Sequence, residues 1–370
     1  MPLRTKGRPL VLATALLGGL ALIAPSAASA QGPSSARSDL AVQQVNLVSD
    51  LPGMASLTDA DLVNPWGLSL GATTPLWVSN QGTSSSTLYS SAAGATTATK
   101  VPTVRVQVPL PTGQVNNAGT GFVLSNGTTS APARFIFATL TGQIAAWVPP
   151  ITPAIGPAQI KATVPGAVYT GLAIANSSQG DRLYAANFAQ NRVDVFGSTF
   201  QRVIDPGAFL DRLVPEGFAP FNVQTLNGRI FVAYAKPDPA TGRSLAGKGL
   251  GFVSEFTPDG KLVDRIVSRG SLNAPWGMAI APSSWGKLAG SLLVGNFGDG
   301  RINVVRPKSD GGFENQISDQ LKNSDGRNLV IPGLWALLQG TATTGGTDAL
   351  WFSAGIDNET HGLVGVLRHP

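Results

Sequence analysis

One short phrase is written several times along this chain, and the spacing of its copies fixes the architecture. Asn64-Pro65-Trp66-Gly67-Leu68-Ser69-Leu70 is one copy, and Ala274-Pro275-Trp276-Gly277-Met278-Ala279-Ile280 is another. Weaker versions are Thr170-Gly171-Leu172-Ala173-Ile174-Ala175, Ala219-Pro220-Phe221-Asn222-Val223-Gln224 and Pro332-Gly333-Leu334-Trp335-Ala336-Leu337. A second β-like run follows in Leu76-Trp77-Val78-Ser79-Asn80, Leu183-Tyr184-Ala185-Ala186-Asn187 and Leu292-Leu293-Val294-Gly295-Asn296. A period of about 50 residues made only of strands and turns marks a propeller blade.

Six copies register on Gly67, Gly113, Gly171, Asn222, Gly277 and Trp335, at steps of 46, 58, 51, 55 and 58 residues. Unequal steps around a steady mean are what loops of varying length on a fixed scaffold produce. The fourth copy reads as strands over 221–226, 229–235, 250–256 and 261–267, with a long loop over 236–249. Asn227-Gly228 suits the tight turn of its first hairpin, because both residues tolerate positive φ. The third copy gives strands at 169–175, 182–188, 192–196 and 199–204. The fifth gives 276–281, 291–297 and 301–306, with a weaker fourth near 312–318. In the second copy, Asn116-Asn117-Ala118-Gly119 interrupts the pattern. The sixth offers strands at 333–338, 349–354 and 362–367 before the chain ends. The orphan run Val42–Val48 is expected to supply its missing outer strand and so hide an edge. The expectation is all-β: a single six-bladed β-propeller of four-stranded antiparallel blades over 42–370, closed by an N-terminal strand.

The first 30 residues read as a secretory signal. Arg4, Lys6 and Arg8 form the positive end, Leu10 to Ile23 is a short apolar stretch, and Ala28-Ser29-Ala30 is a small-residue cleavage site. Residues 31–41 then form a flexible leader. No later stretch is long and apolar enough to span a bilayer. Export to the periplasm or the extracellular medium is therefore expected. The net charge of +5 comes largely from this segment, whose removal leaves 23 basic against 21 acidic residues. With no basic run remaining, a nucleic-acid partner is not supported. The chain has no Cys, which excludes thiol catalysis and Cys-ligated metals.

The strings NLVSDLPGMA, TDADLVNPWGL, LYAANF, APFNVQ, GKGLGFVSEF, LNAPWGMAIAP, LLVGNFGDG, GLWALL and HGLVGVL resemble a family of exported bacterial proteins with a six-bladed propeller-like fold. The resemblance runs from about Val45 to about Leu367. It implies export and a propeller of the broad NHL or gluconolactonase-like kind, and no established reaction.

Asn80, Asn187 and Asn296 fall at matched positions, where second strands end at one mouth of the ring. One reading makes them a polar ring facing a ligand, or a divalent cation such as Ca²⁺ or Mg²⁺ held by Asn187 and Asn296. Gluconolactonase-like propellers bind metal in this way. The other reading has each Asn capping its strand by bonding loop backbone. A hard cation also wants carboxylates, and Asp299 is the nearby one. The paired acids Asp59 and Asp61 lack the remaining ligands of a Ca²⁺ loop and read as a turn. Gly242 to Lys248 matches most of a phosphate loop, but Gly249 stands where Ser or Thr is required and no helix follows. Asp357-Asn358-Glu359-Thr360-His361 is where acids meet a histidine, so His361 and Glu359 are the candidate catalytic pair. The tryptophans follow the blades, at Trp66, Trp276 and Trp335 on first strands and Trp77 and Trp351 on second strands. Such rings either pack blades together or offer a stacking surface.

The leading functional expectation is an exported binding or scaffold protein that takes a small molecule, glycan or protein at one mouth. The alternative is a metal-dependent hydrolase or lactonase-like enzyme using Asn80, Asn187, Asn296, Glu359 and His361.

Overall fold

The first strands of the six copies touch in a closed ring, each against the next and the sixth against the first. They are Pro65–Ser69, Pro111–Asn116, Tyr169–Ser177, Ala219–Leu226, Pro275–Ile280 and Leu334–Gln339. The structure, a computed structural model, describes residues 39–370. The expected signal segment and most of the leader lie outside the described residues. From each inner strand an antiparallel sheet runs outward, so the molecule is an all-β, six-bladed propeller of four-stranded blades.

Blade 4 shows how the sequence writes a blade. Its strands are Ala219–Leu226, Arg229–Ala235, Gly251–Phe256 and Leu262–Ser268. Leu226 pairs with Arg229 across Asn227 (φ 50°) and Gly228 (φ 72°), the two positive values that a type I′ hairpin requires. Alternate side chains enter the packing between blades, where Phe231, Val253 and Val294 are buried together.

The N-terminal segment closes the ring. Gln43–Ser49 pairs antiparallel with Leu363–Arg368, from Gln43↔Arg368 to Ser49↔Leu363, as the outer strand that blade 6 lacks. Leu57–Thr58 then adds a short parallel strand outside it. Leu47 and Val48 of the closing strand are fully buried. The outer edge of blade 1 is likewise covered, because Ile155–Pro157 pairs parallel with Arg105–Gln107.

Three details correct the sequence reading. In blade 6, Leu334 pairs with Ala354 as Pro65 does with Asn80, so Ala336, not Trp335, takes the place of Gly67. The outer strand of blade 5 is Asp319–Gln320 rather than 312–318, because Pro307 and Phe313 bridge in a hairpin of their own first. In blade 2 the interruption after Asn116 is an inserted hairpin, Val123–Ser125 with Ser130–Pro132, and the second strand resumes at Phe135.

The glycine of the repeated phrase is set by the ring. A Cβ at Gly67 would lie 2.4 Å from the Thr112 carbonyl oxygen, and one at Gly277 2.4 Å from that of Trp335. Adjacent inner strands approach too closely there for a side chain. No helix among the described residues is long and apolar enough to cross a membrane.

Candidate functional site

We call the face where the inner strands begin the upper face. There a cleft of about 580 Å³ opens over the propeller axis. Aromatic rings line it: Trp66, Phe188, Phe218, Phe221, Phe297 and Trp335. Phe188 and Phe297 each follow a matched asparagine, Asn187 and Asn296. Trp66, Phe221 and Trp335 occupy the same inner-strand position in blades 1, 4 and 6, so their rings converge on the axis. Trp66 stacks on Trp335 at 3.6 Å between centroids, and Phe297 stacks on the other side of Trp335 at 4.0 Å. Trp276, the blade 5 equivalent, meets both indoles edge-on at 6.2 and 5.6 Å. This cluster separates the cleft from a smaller cavity of about 240 Å³ between the inner strands, where Gln114, Asn116 and Gln224 reach the axis. Trp276 and Trp335 donate their Nε1 hydrogens to Thr170 O and Asn64 Oδ1, whereas Trp66 Nε1 has no protein acceptor. The first-strand tryptophans thus gather on one side of the ring. Trp77 instead stacks on Phe135 of the next blade at 3.9 Å, as packing between blades.

Two loops complete the cleft. Pro237 to Ser244, from the long blade 4 loop, forms a hairpin bridged between those two residues. Asp238 organises it: its Oδ1 accepts from Ala240 N and its Oδ2 from the Thr241 hydroxyl, both at 2.9 Å. From blade 6 comes Glu359. Asp357, Asn358 and Glu359 are consecutive non-glycine residues in the left-handed region, at φ 51°, 56° and 68°. Such a run is strained, and it persists only where surrounding structure enforces it. Here the Glu359 amide bonds Gly355 O, and Asn64 Nδ2 donates to Glu359 Oε2 at 2.9 Å. Arg243, beside the bridged base of the blade 4 hairpin, pairs with Oε1. The Glu359 side chain is 12% exposed and that of Arg243 64%. A loop of one blade is thereby latched to a loop two blades away.

The structure separates His361 from Glu359. His361 does not line the cleft; its Nδ1 lies 2.6 Å from Asp50 Oδ2, and the same carboxylate accepts from Gly362 N at 2.8 Å. That cluster ties the loop to the closing strand.

The matched asparagines sit at the upper ends of their second strands, fully buried and away from the cleft lining. Each bonds a partner on the third strand of its own blade. Asn80 Nδ2 donates to Thr87 Oγ1 at 2.8 Å and Asn187 Nδ2 to Asp194 Oδ2 at 2.8 Å, while Asn296 Oδ1 accepts from Asn303 Nδ2 at 3.1 Å. The oxygens a cation would need on Asn187 and Asn296 also accept from backbone, Gln190 N and Asn273 N respectively. Asp299 accepts from Asn296 Nδ2 and from Arg301 N in its own turn. Among the described residues, no three His, Asp or Glu side chains group as a metal site.

The other polar clusters hold blades together. Asp59 accepts from Tyr89 and Lys100, and Asp61 from Lys100 and Arg105. Burial alone would raise the Asp61 carboxyl, but the bonds from Arg105 and Lys100 outweigh it and lower it. Burial pushes the Tyr89 and Tyr169 phenols up, so both remain neutral donors, to Asp59 and Asp194. The phosphate-loop-like Gly242 to Lys248 leads into the strand Gly251–Phe256, with Gly247 N bonded to Asn273 Oδ1.

What sequence reasoning missed is the aromatic floor and the roles of Asn64 and Arg243. A signal for Asn64 existed. The two clearest copies differ at their first residue, Asn64 against Ala274, although both backbones take positive φ there, 45° and 46°.

No family model matches the chain. It is 33% identical over 344 residues to Uncharacterized protein L690 of Acanthamoeba polyphaga mimivirus, covering 90% of this chain and 88% of that protein. It is 32% identical over 330 residues to Uncharacterized protein R648 of the same virus, covering 86% and 78%. Both relatives are viral, and the bacterial attribution of the resemblance rests on the strings alone. Among solved structures, a virginiamycin B lyase from Staphylococcus aureus aligns at 11% identity and a TM-score of 0.47, over 88% of this chain and 98% of that one. An alpha-L-arabinanase of Penicillium chrysogenum aligns at 10% and 0.49 over 88% and 98%. A gluconolactonase from Xanthomonas campestris aligns at 15% and 0.41 over 90% and 100%. Likeness at this level says nothing of reaction or ligand.

Proposed function

This chain belongs to the family of the mimivirus proteins L690 and R648, and we propose that it is a binding protein whose upper-face cleft takes a small molecule with an apolar or ring-shaped face. The observation that carries this reading is the convergence of Trp66, Phe221 and Trp335 beneath an open cleft of about 580 Å³. Ligand sites are concave, mostly apolar and of about this size, with a few placed polar groups. Glu359 and Arg243 are such groups here.

Binding is better supported than hydrolysis. The expected acid–base pair would have to act on one molecule, but His361 is turned to Asp50 while Glu359 borders the cleft. Export belongs to the same reading and rests on the sequence: N-terminal sequencing of the secreted protein should begin at Gln31.

The cleft reading is tested with benzyl alcohol as probe. Titration should shift the tryptophan emission saturably, because the ring would lie beside the Trp66–Trp335 stack. Ala189 is exposed and lines the cleft, so Ala189→Phe should fill it and abolish the shift without loss of stability. An equal response from both proteins overturns the reading.

A further inference from the structure

We propose that the upper-face cleft takes its ligand as an organic cation, an alkyl or quaternary ammonium, held by Glu359 in the place that the Arg243 guanidinium now takes. The proposal rests on the cleft reading above and names the class of molecule.

The charges lining the cleft are Asp238 and Glu359 against Arg243. Asp238 is committed to its own hairpin through Ala240 N and Thr241 Oγ1. Glu359 is the carboxylate left to meet a ligand. It is built in rather than merely present. The left-handed run of 357–359 aims it, Asn64 fixes one oxygen, and its side chain is largely buried.

Its partner is the opposite. The Arg243 side chain is 64% exposed and stands on a surface hairpin. One member of the pair is held rigidly and the other is replaceable. The guanidinium shows what chemistry the position tolerates: a cation against a carboxylate.

The floor strengthens that pair. Apolar surroundings that exclude water strengthen the attraction between a cation and a carboxylate. Trp66, Phe188, Phe221 and Trp335 are each less than a tenth exposed. An anion would instead meet two carboxylates. It would gain only the exposed guanidinium.

Calorimetry on the full chain with choline and its neutral isostere 3,3-dimethyl-1-butanol tests the proposal, since the two differ in charge and hardly in shape. Choline should bind roughly tenfold more tightly or better, because it alone forms the charge pair with Glu359. Glu359→Gln should bring choline down to the level of the alcohol and leave the alcohol unchanged, which also shows that the variant is folded. Arg243→Ala removes the internal competitor and should strengthen choline several-fold with no effect on the alcohol. Equal affinities with Glu359→Gln silent, or binding of the alcohol alone, overturn the cation assignment and leave the cleft reading standing. If neither molecule binds, to wild type or to Arg243→Ala, the cation assignment fails; if benzyl alcohol also fails, the cleft reading falls with it.

Discussion

Asn64 Nδ2 lies 2.9 Å from Glu359 Oε2, so the first residue of the repeated phrase in blade 1 holds the carboxylate of blade 6. The same side chain accepts from Trp335 Nε1 at 3.0 Å and donates to Gln81 Oε1 at 2.8 Å. Asn suits the position twice over: its amide serves both as donor and acceptor, and Asn tolerates the left-handed backbone (φ 45°) found there. Asn64→Ala should therefore strand the buried Trp335 donor and release Glu359. A loss of about 2 kcal/mol in chemical denaturation is expected for a buried group left unsatisfied. A variant as stable as wild type would mean that the amide does not organise these partners.

The blade plan was legible because hairpin chemistry is local. Asn227-Gly228 and the alternation of 229–235 specify their turn and strand without help from the rest of the chain. The closing strand was legible for a different reason: the sixth copy ended one strand short and 42–48 had no other partner. The cleft was legible only as two irregular places, the 236–249 loop and the 357–361 loop, because function sits where copies differ. The convergence of Trp66, Phe221 and Trp335 could not be read from their spacing, since a residue at one position in every blade faces either a neighbouring blade or the axis. His361 and Glu359 were joined by adjacency in sequence. The left-handed run from 357 to 359 turns one toward the cleft and leaves the other facing Asp50.

Closure by Gln43–Ser49 predicts strong dependence on the N-terminal segment. Leu47 is fully buried in the cluster that also holds Trp66, Trp335 and Val366. Leu47→Ala should lower stability by about 3 kcal/mol, the usual result of removing a buried leucine side chain. A chain starting at residue 51 exposes the edge of Leu363–Arg368 and should aggregate or melt many degrees lower. A truncated protein with unchanged melting would sink the idea that this strand closes the ring.

Close approach of inner strands makes a second structural prediction. Gly277→Ala places a methyl 2.4 Å from the Trp335 carbonyl oxygen and 2.9 Å from Leu337 N, both backbone atoms of the next blade. The strands must separate, so a loss of about 2 kcal/mol is expected, as for other overpacked sites. Gly228→Ala is the control. Its added atom meets nothing within 4 Å, and its effect comes from the positive φ of 72° alone. Denaturation midpoints of the two variants compare a steric clash with backbone strain.

Asp211 and Arg265 give a prediction about pH. The Asp211 side chain is 1% exposed and accepts from Arg265 Nε at 2.7 Å, from Ser254 Oγ at 2.8 Å and from Leu213 N at 3.0 Å. Burial alone would raise this carboxyl, but the bonds from Arg265, Ser254 and Leu213 outweigh it and hold it below the usual carboxylate value. A depressed folded value means that the unfolded chain binds its proton first as pH falls. The stabilisation is therefore complete above the unfolded value of about 3.9 and is lost as pH drops through the lower folded value. Arg265→Ala removes the guanidinium and leaves a buried carboxylate with neutral donors only. The variant should lose about 3 kcal/mol near neutrality, as expected for breaking a buried ion pair. Its folded carboxyl should then titrate above the unfolded one, so acidification favours the folded variant through this group while it weakens wild type. Urea midpoints measured from neutrality down to about pH 3 should thus converge for the two proteins. Parallel profiles would show that Asp211 owes its ionised state to something other than Arg265.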